Sequence, residues 1–221
     1  FARSAIGFPM FTFWFGVTIV SVYLILWRRS RGELRDEHTV SSIFSREALF
    51  VLNNLVFVAL FIAIFWGSFG APIISELVMN TDITLGADYF NRVTPPLFIA
   101  MYILMGIAPL SAWGFTSLSR MGQTLIIPVI LTAASLALFF VTGTREGYAL
   151  FGYGIVLLAG WVALWETVRG VLARQRVHKE NVLTSVSSLY LRNPRRYGGY
   201  LIHFGITVIG LGVIGSTLFQ Q

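Results

Sequence analysis

Six long apolar runs, separated by polar or charged stretches, leave this chain of 221 residues few ways to fold. They lie at about residues 6–27, 48–69, 97–113, 125–141, 148–165 and 199–219. Each is about as long as a helix needs to cross a hydrocarbon core of ~30 Å. Charged residues make up only 12% of the chain, about half the ~25% typical of soluble domains. The sequence therefore predicts an all-α, polytopic membrane helix bundle, with residues 1–221 as a single membrane domain of six transmembrane spans. Pro128, near the start of the fourth span, is tolerable there or kinks the helix.

Basic residues set the orientation. Thirteen of the 16 Lys and Arg fall in the first, third and fifth loops, from the Arg28, Arg29 and Arg31 cluster to Arg195 and Arg196. Only Arg3, Arg92 and Arg145 fall on the other side. The positive-inside rule places the larger group in the cytoplasm and both termini outside the cytoplasm. The net charge of +6 follows from this placement and does not point to nucleic acid. No cysteine is present, which excludes disulfides, thiolate metal sites and a cysteine nucleophile.

Three loops are long enough for structure of their own. Residues 28–47 are mixed in charge and end in an amphipathic stretch at Val40, Ile43 and Phe44. Residues 70–95 form an extracytoplasmic segment that closes on Tyr89-Phe90-Asn91-Arg92-Val93 and a double proline. In residues 170–197, Val182, Leu183, Val186, Leu189 and Tyr190 recur at helical spacing, opposite Thr184, Ser185, Ser187 and Ser188. This pattern predicts one interfacial amphipathic helix around 180–191.

One ionisable residue lies within an apolar span. His203 follows Arg195-Arg196-Tyr197-Gly198-Gly199 by one helical turn, and buried ionisable groups in a bilayer are costly and commonly functional. Offsets of four and seven put Gly199, His203 and Gly210 on one helix face. An imidazole flanked by bare backbone suits a flat cofactor, and equally a closely packed neighbouring helix. His203 reads as a ligand or proton relay, or as a donor to a neighbouring helix's carbonyl. His38 and His178 lie among charged residues and read as solvated. Glu166 and Arg169 form an i,i+3 pair at the interface. Asn53 and Asn54 read as groups that bond across helices. No zinc spacing, phosphate loop or nucleophile elbow is present.

Four stretches together resemble the CcmF/CcsA haem-handling family, in its CcmF branch. They are Ser45-Arg46-Glu47 with Leu52-Asn53-Asn54; Tyr89-Phe90-Asn91-Arg92-Val93 with Pro95-Pro96; Met105-Gly106-Ile107-Ala108-Pro109-Leu110 with Trp113; and Arg195-Arg196-Tyr197-Gly198-Gly199 to His203. The resemblance implies cytochrome c maturation in a bacterial or organellar inner membrane. It implies a cytochrome c haem lyase that joins haem, as substrate, to the Cys-x-x-Cys-His motif of apocytochrome c. It further implies a haem b held in the membrane, with His203 as an axial ligand of the haem iron, Gly199 and Gly210 facing the haem, and the second axial ligand outside this chain. The implied partners are apocytochrome c, other cytochrome c maturation proteins, the remainder of a CcmF-like chain or subunit, and the lipid bilayer. The tryptophan-rich haem-receiving segment and its flanking histidines are not in these residues, so no catalytic residue is identified here. The chain reads as a C-terminal part of such a protein. The rival reading is a transporter or non-catalytic membrane subunit, in which His203 is a proton relay or a helix-packing residue.

Overall fold

The computed structural model describes residues 7–33, 45–81, 83–111 and 118–219. Among them every regular element is helical: α1 (Gly7–Ser30), α2 (Arg46–Phe65), a π turn (Trp66–Gly70), α3 (Ala71–Met79), α4 (Ala87–Ile107), a 3-10 turn (Ala108–Leu110), α5 (Leu118–Val141), α6 (Gly147–His178), α7 (Val182–Arg192) and α8 (Pro194–Phe219). Among the described residues, five segments are long and apolar enough to cross a membrane: Arg46–Glu76, Ala87–Leu110, Met121–Val141, Gly147–His178 and Pro194–Thr217. Helix α1, 24 residues long, covers the first apolar run. The expected amphipathic stretch at Val40, Ile43 and Phe44, together with His38 and Trp113, lies outside the described residues.

Two boundaries differ from expectation. The segment 70–95 is mostly helical, because the second run continues through the π turn into α3, where Pro72 suits the first turn. Asn80 then closes α3 in the left-handed conformation, at φ 50°. Helix α4 begins at Ala87, so Pro95 and Pro96 lie inside it instead of preceding it. Each proline lacks an N–H and so leaves a carbonyl one turn earlier without its helical donor. Pro128 likewise falls in the interior of α5, and Thr132 Oγ1 donates to its carbonyl at 2.8 Å.

The chain divides into two compact units, one of Phe1–Val40 and Phe61–Thr94, the other of Ser41–Leu60 and Pro95–Gln221. In the first, the Tyr89 hydroxyl donates to the Ala63 carbonyl at 3.0 Å. Gly67 faces the Tyr89 and Phe90 rings, with a would-be Cβ 2.5 Å from Tyr89 Cε1. The backbone is bare where those aromatics press on it.

In the second unit, α6 packs against both α5 and α8. Small residues set these approaches. A would-be Cβ on Gly106 of α4 would lie 3.5 Å from the Ala159 backbone, Gly160 of α6 receives Thr207 of α8, and Gly210 of α8 receives Tyr102 and Val156. Apolar helices gain little by hiding from lipid, so close packing and interhelical hydrogen bonds hold them together. Two such bonds are Tyr102 Oη donating to the Ile206 carbonyl at 2.8 Å and Trp161 Nε1 donating to Ser135 Oγ at 3.2 Å. At the start of α2, Ser45 Oγ accepts the Ala48 N–H at 3.2 Å, a side-chain N-cap with Glu47 in the first turn.

The segment expected around 180–191 is a helix, α7. Its packed face shares Val186, Leu189 and Tyr190 with the predicted one but turns towards Ser185. Ser185 and Leu189 are buried, while Val182 and Leu183 stand exposed. The physical reason is proximity. Helix α7 lies against both α6 and α8, so a small serine suits the closest approach, and Leu189 joins Val171, Ala163, Tyr197 and Tyr200 in one apolar cluster.

Candidate functional site

His203 sits in the third turn of α8 (Pro194–Phe219), on the same face as the buried residues Tyr200, Thr207 and Gly210. Its ring makes no side-chain hydrogen bond among the described residues, and Nδ1 is fully enclosed without a partner. The alternative in which His203 donates to a neighbouring helix's carbonyl is therefore not what this packing provides. Of the two ring nitrogens, only Nδ1 is enclosed without a partner. Four residues earlier, Gly199 faces open space, with no atom within 4 Å of a would-be Cβ. The pair offers an imidazole nitrogen beside bare, unoccupied backbone, which fits a flat group approaching α8 from that side.

Gly210 does not extend this open face. Tyr102 of α4 fills it, with Cζ 2.9 Å from a would-be Cβ, and Val156 Cγ1 lies 3.1 Å away. The expected haem-facing role of Gly210 gives way to helix packing. Its missing side chain lets the Tyr102 hydroxyl reach the Ile206 carbonyl. Among the described residues, no three His, Asp or Glu side chains converge on one point.

The stretch preceding His203 has a task that its sequence concealed. Arg196 Nη2 lies 3.3 Å from Glu166 Oε2, and its Nε donates to the Tyr200 hydroxyl at 3.0 Å. Arg169 Nη1 donates to the other Glu166 oxygen at 2.6 Å, as the i,i+3 spacing predicts. Glu166 is 6% exposed and is therefore held by two guanidiniums, as a buried carboxylate must be. Tyr197 packs over Gly170 and stacks edge-on with Tyr200, with ring centroids 5.8 Å apart. The Arg-Tyr-Gly-Gly segment thus clamps the start of α8 to α6 and fixes where His203 stands.

Next to this clamp is a cavity of about 710 Å³, whose lining includes Trp165, Glu166, Arg169, Arg174, Arg176 and Arg196. Arg174 makes a bidentate pair with Glu180, at 2.8 and 3.0 Å. Hydrogen bonding to the Arg174 guanidinium, aided by its charge, holds the Glu180 carboxyl below its ordinary range. His178, expected to be solvated, is exposed in the last turn of α6 and lines the same cavity. Sequence reasoning missed the Glu166–Arg196 link, because the two residues lie 30 positions apart. The available signal was a lone acid in an apolar run, which has to find cations.

Curated relatives match most of the chain. It is 32% identical to the cytochrome c-type biogenesis protein CcmF of Pseudomonas fluorescens over 180 residues, 80% of this chain and 25% of that protein. It is 27% identical to the cytochrome c-type biogenesis protein ccl1 of Rhodobacter capsulatus over 193 residues, 86% of this chain and 27% of that protein. This is a CcmF-like chain. The CcmF of Escherichia coli is 25% identical over 207 residues, 94% of this chain and 30% of that protein. The CcmF-like chain thus spans about a quarter to a third of the length of these relatives. No family model matches it, and no solved structure does.

Proposed function

We propose that this chain serves cytochrome c maturation as the part of a CcmF-like haem lyase that anchors a membrane haem b. The relatives' names supply the process. The observation that carries the site is His203, with Nδ1 enclosed, no competing hydrogen bond, and open backbone at Gly199 beside it. In this reading Nε2 of His203 is one axial ligand, and the second comes from outside these residues. Haem iron is commonly held by histidine, and the protein tunes it through ligand identity, neighbours and burial.

The haem vinyl groups and the cytochrome thiols supply the thioether chemistry, so the protein's share is binding and orientation. Within this chain, the Glu166–Arg196–Tyr200 clamp fixes the start of α8, and the packing of Thr207 into Gly160 and of Tyr102 onto Gly210 fixes the turns beyond. His203 lies between these two anchors, so its ring is presented from a rigid helix. The six-span topology, with both termini extracytoplasmic and α7 at the cytoplasmic interface, belongs to this reading, supported by the arginine bias. So does an inner-membrane location. His203 would then lie roughly 6 Å beyond Gly199 along α8, at about 1.5 Å per residue, towards the cytoplasmic side. Apocytochrome c and other maturation proteins are the partners it implies.

The test is the spectrum of the complete protein. His203→Ala should abolish or sharply lower b-type haem while leaving the protein folded in the membrane, and Gly199→Leu should lower it by filling the open face. His178→Ala should leave the spectrum unchanged. Retention of the full b-type spectrum by His203→Ala defeats the assignment. It would leave His203 to the rival reading, a relay or packing residue of a non-catalytic subunit.

A further inference from the structure

We infer that the cavity at the α6–α7–α8 junction binds the headgroup of an anionic phospholipid. Its charge is the first reason. Arg169, Arg174, Arg176 and Arg196 line it, with Glu166 as the carboxylate in the wall. Glu166 uses its two oxygens on Arg169 and Arg196, and Glu180 takes Arg174. Among the described residues Arg176 makes no ion pair, so the site keeps a surplus of positive charge. The pairs also leave donors unused. A guanidinium carries five N–H groups. Arg169 spends one on Glu166, and Arg196 spends two, on Glu166 and Tyr200. Glu166 therefore acts as a splint: it holds two guanidiniums in fixed places while most of their donors remain available to phosphate oxygens.

The second reason is the rest of the wall. Trp165, Leu172 and Val177 line the same cavity, and Leu172 and Val177 are 42% and 75% exposed. On the neighbouring helix α7, Leu183 and Leu191 are more than 80% exposed. Free phosphate would use the arginines and leave this apolar surface unused. A phosphodiester carrying acyl chains uses both. The cavity's 710 Å³ falls in the range of small-molecule sites, roughly 300–1,000 Å³. Basic pockets between helices at the arginine-rich membrane face suit lipid headgroups on general electrostatic grounds. The inference requires the bundle to lie in a membrane, and does not depend on the haem assignment.

Native mass spectrometry of the complete protein in detergent, with added phosphatidylglycerol or phosphatidylcholine, tests this. The expected result is a preference for phosphatidylglycerol of about tenfold that survives millimolar inorganic phosphate. Arg176→Gln, which breaks no ion pair, should cut the preference several-fold with unchanged thermal stability, and adding Arg169→Gln should remove it. Arg145→Gln, a charge lost outside the cavity, should leave it intact. Equal binding of the two lipids overturns the inference, as does a preference indifferent to Arg176→Gln. Displacement by millimolar phosphate assigns the cavity to a free anion, and displacement by micromolar protohaem assigns it to propionate carboxylates. Either outcome overturns the lipid.

Discussion

Substituting Gly210 by alanine separates helix packing from cofactor binding at α8. A Cβ at 210 would stand 2.9 Å from Tyr102 Cζ and 3.1 Å from Val156 Cγ1, inside normal contact. Tyr102 is 8% exposed, and its hydroxyl is tied to Ile206 at 2.8 Å, so the ring has little room to yield. Overpacking of this kind costs about 1–3 kcal/mol. Displacing the ring also costs an interhelical hydrogen bond, worth ~0.6 kcal/mol on average and up to ~1.7 in membrane bundles. Alanine's better helix propensity returns about 0.8–1 kcal/mol. The net loss should be ~1–3 kcal/mol. The assay is reversible unfolding of the complete protein in mixed micelles, run as a double-mutant cycle with Tyr102→Phe. Removing the hydroxyl frees the space nearest the new methyl group, so Gly210→Ala should cost about 1 kcal/mol less in that background. Folded Gly210→Ala protein should also keep its haem, unlike Gly199→Leu. Equal costs in both backgrounds, or a Gly210→Ala protein that gains stability, would refute the packing account.

Glu166→Gln should release both guanidiniums at the start of α8 and destabilise the protein by ~1–2 kcal/mol, because both arginines can turn to water; differential unfolding against Arg169→Gln and Arg196→Gln single variants checks this. The Glu180 carboxyl is held below its usual value of 4.5, so the Arg174 pair contributes above that pH and is lost as pH falls through the lower folded value. Amide exchange across residues 179–193 should accelerate on acidification below that range, and Glu180→Gln should show the faster exchange at neutral pH. The chain has no cysteine, so single cysteines report topology without background. Those replacing Ser30 and Ser187 should resist an impermeant thiol reagent applied from outside the cytoplasmic membrane, and one replacing Thr81 should react; the reverse pattern overturns the orientation.

What the sequence could and could not disclose follows from which interactions are local. The apolar runs and the Arg169–Glu166 pair depend on neighbours within a turn or a span, and the structure has helices over those runs and that pair at 2.6 Å. Helix ends depend on less visible choices. The π turn at Trp66–Gly70 and the prolines inside α4 break hydrogen bonds without ending the helical path, so proline and glycine misled as punctuation. Helix α7 shows the same limit sideways. Its spacing revealed an amphipathic helix, but only α6 and α8 decide that Ser185 faces inward while Leu183 does not.

The glycines of α8 carry the point furthest. Gly199 and Gly210 both return to the face of His203 by helical period, and nothing in one helix's sequence separates them. The difference lies in α4, over 100 positions away, where Tyr102 places its hydroxyl on Ile206 and fills the space at 210. No such ring reaches 199. Periodicity tells which residues share a face, and a partner helix decides which part of that face stays open. The haem reading therefore narrows from a whole helical stripe to the single turn between Gly199 and His203, and that turn is where substitutions should separate cofactor loss from loss of packing.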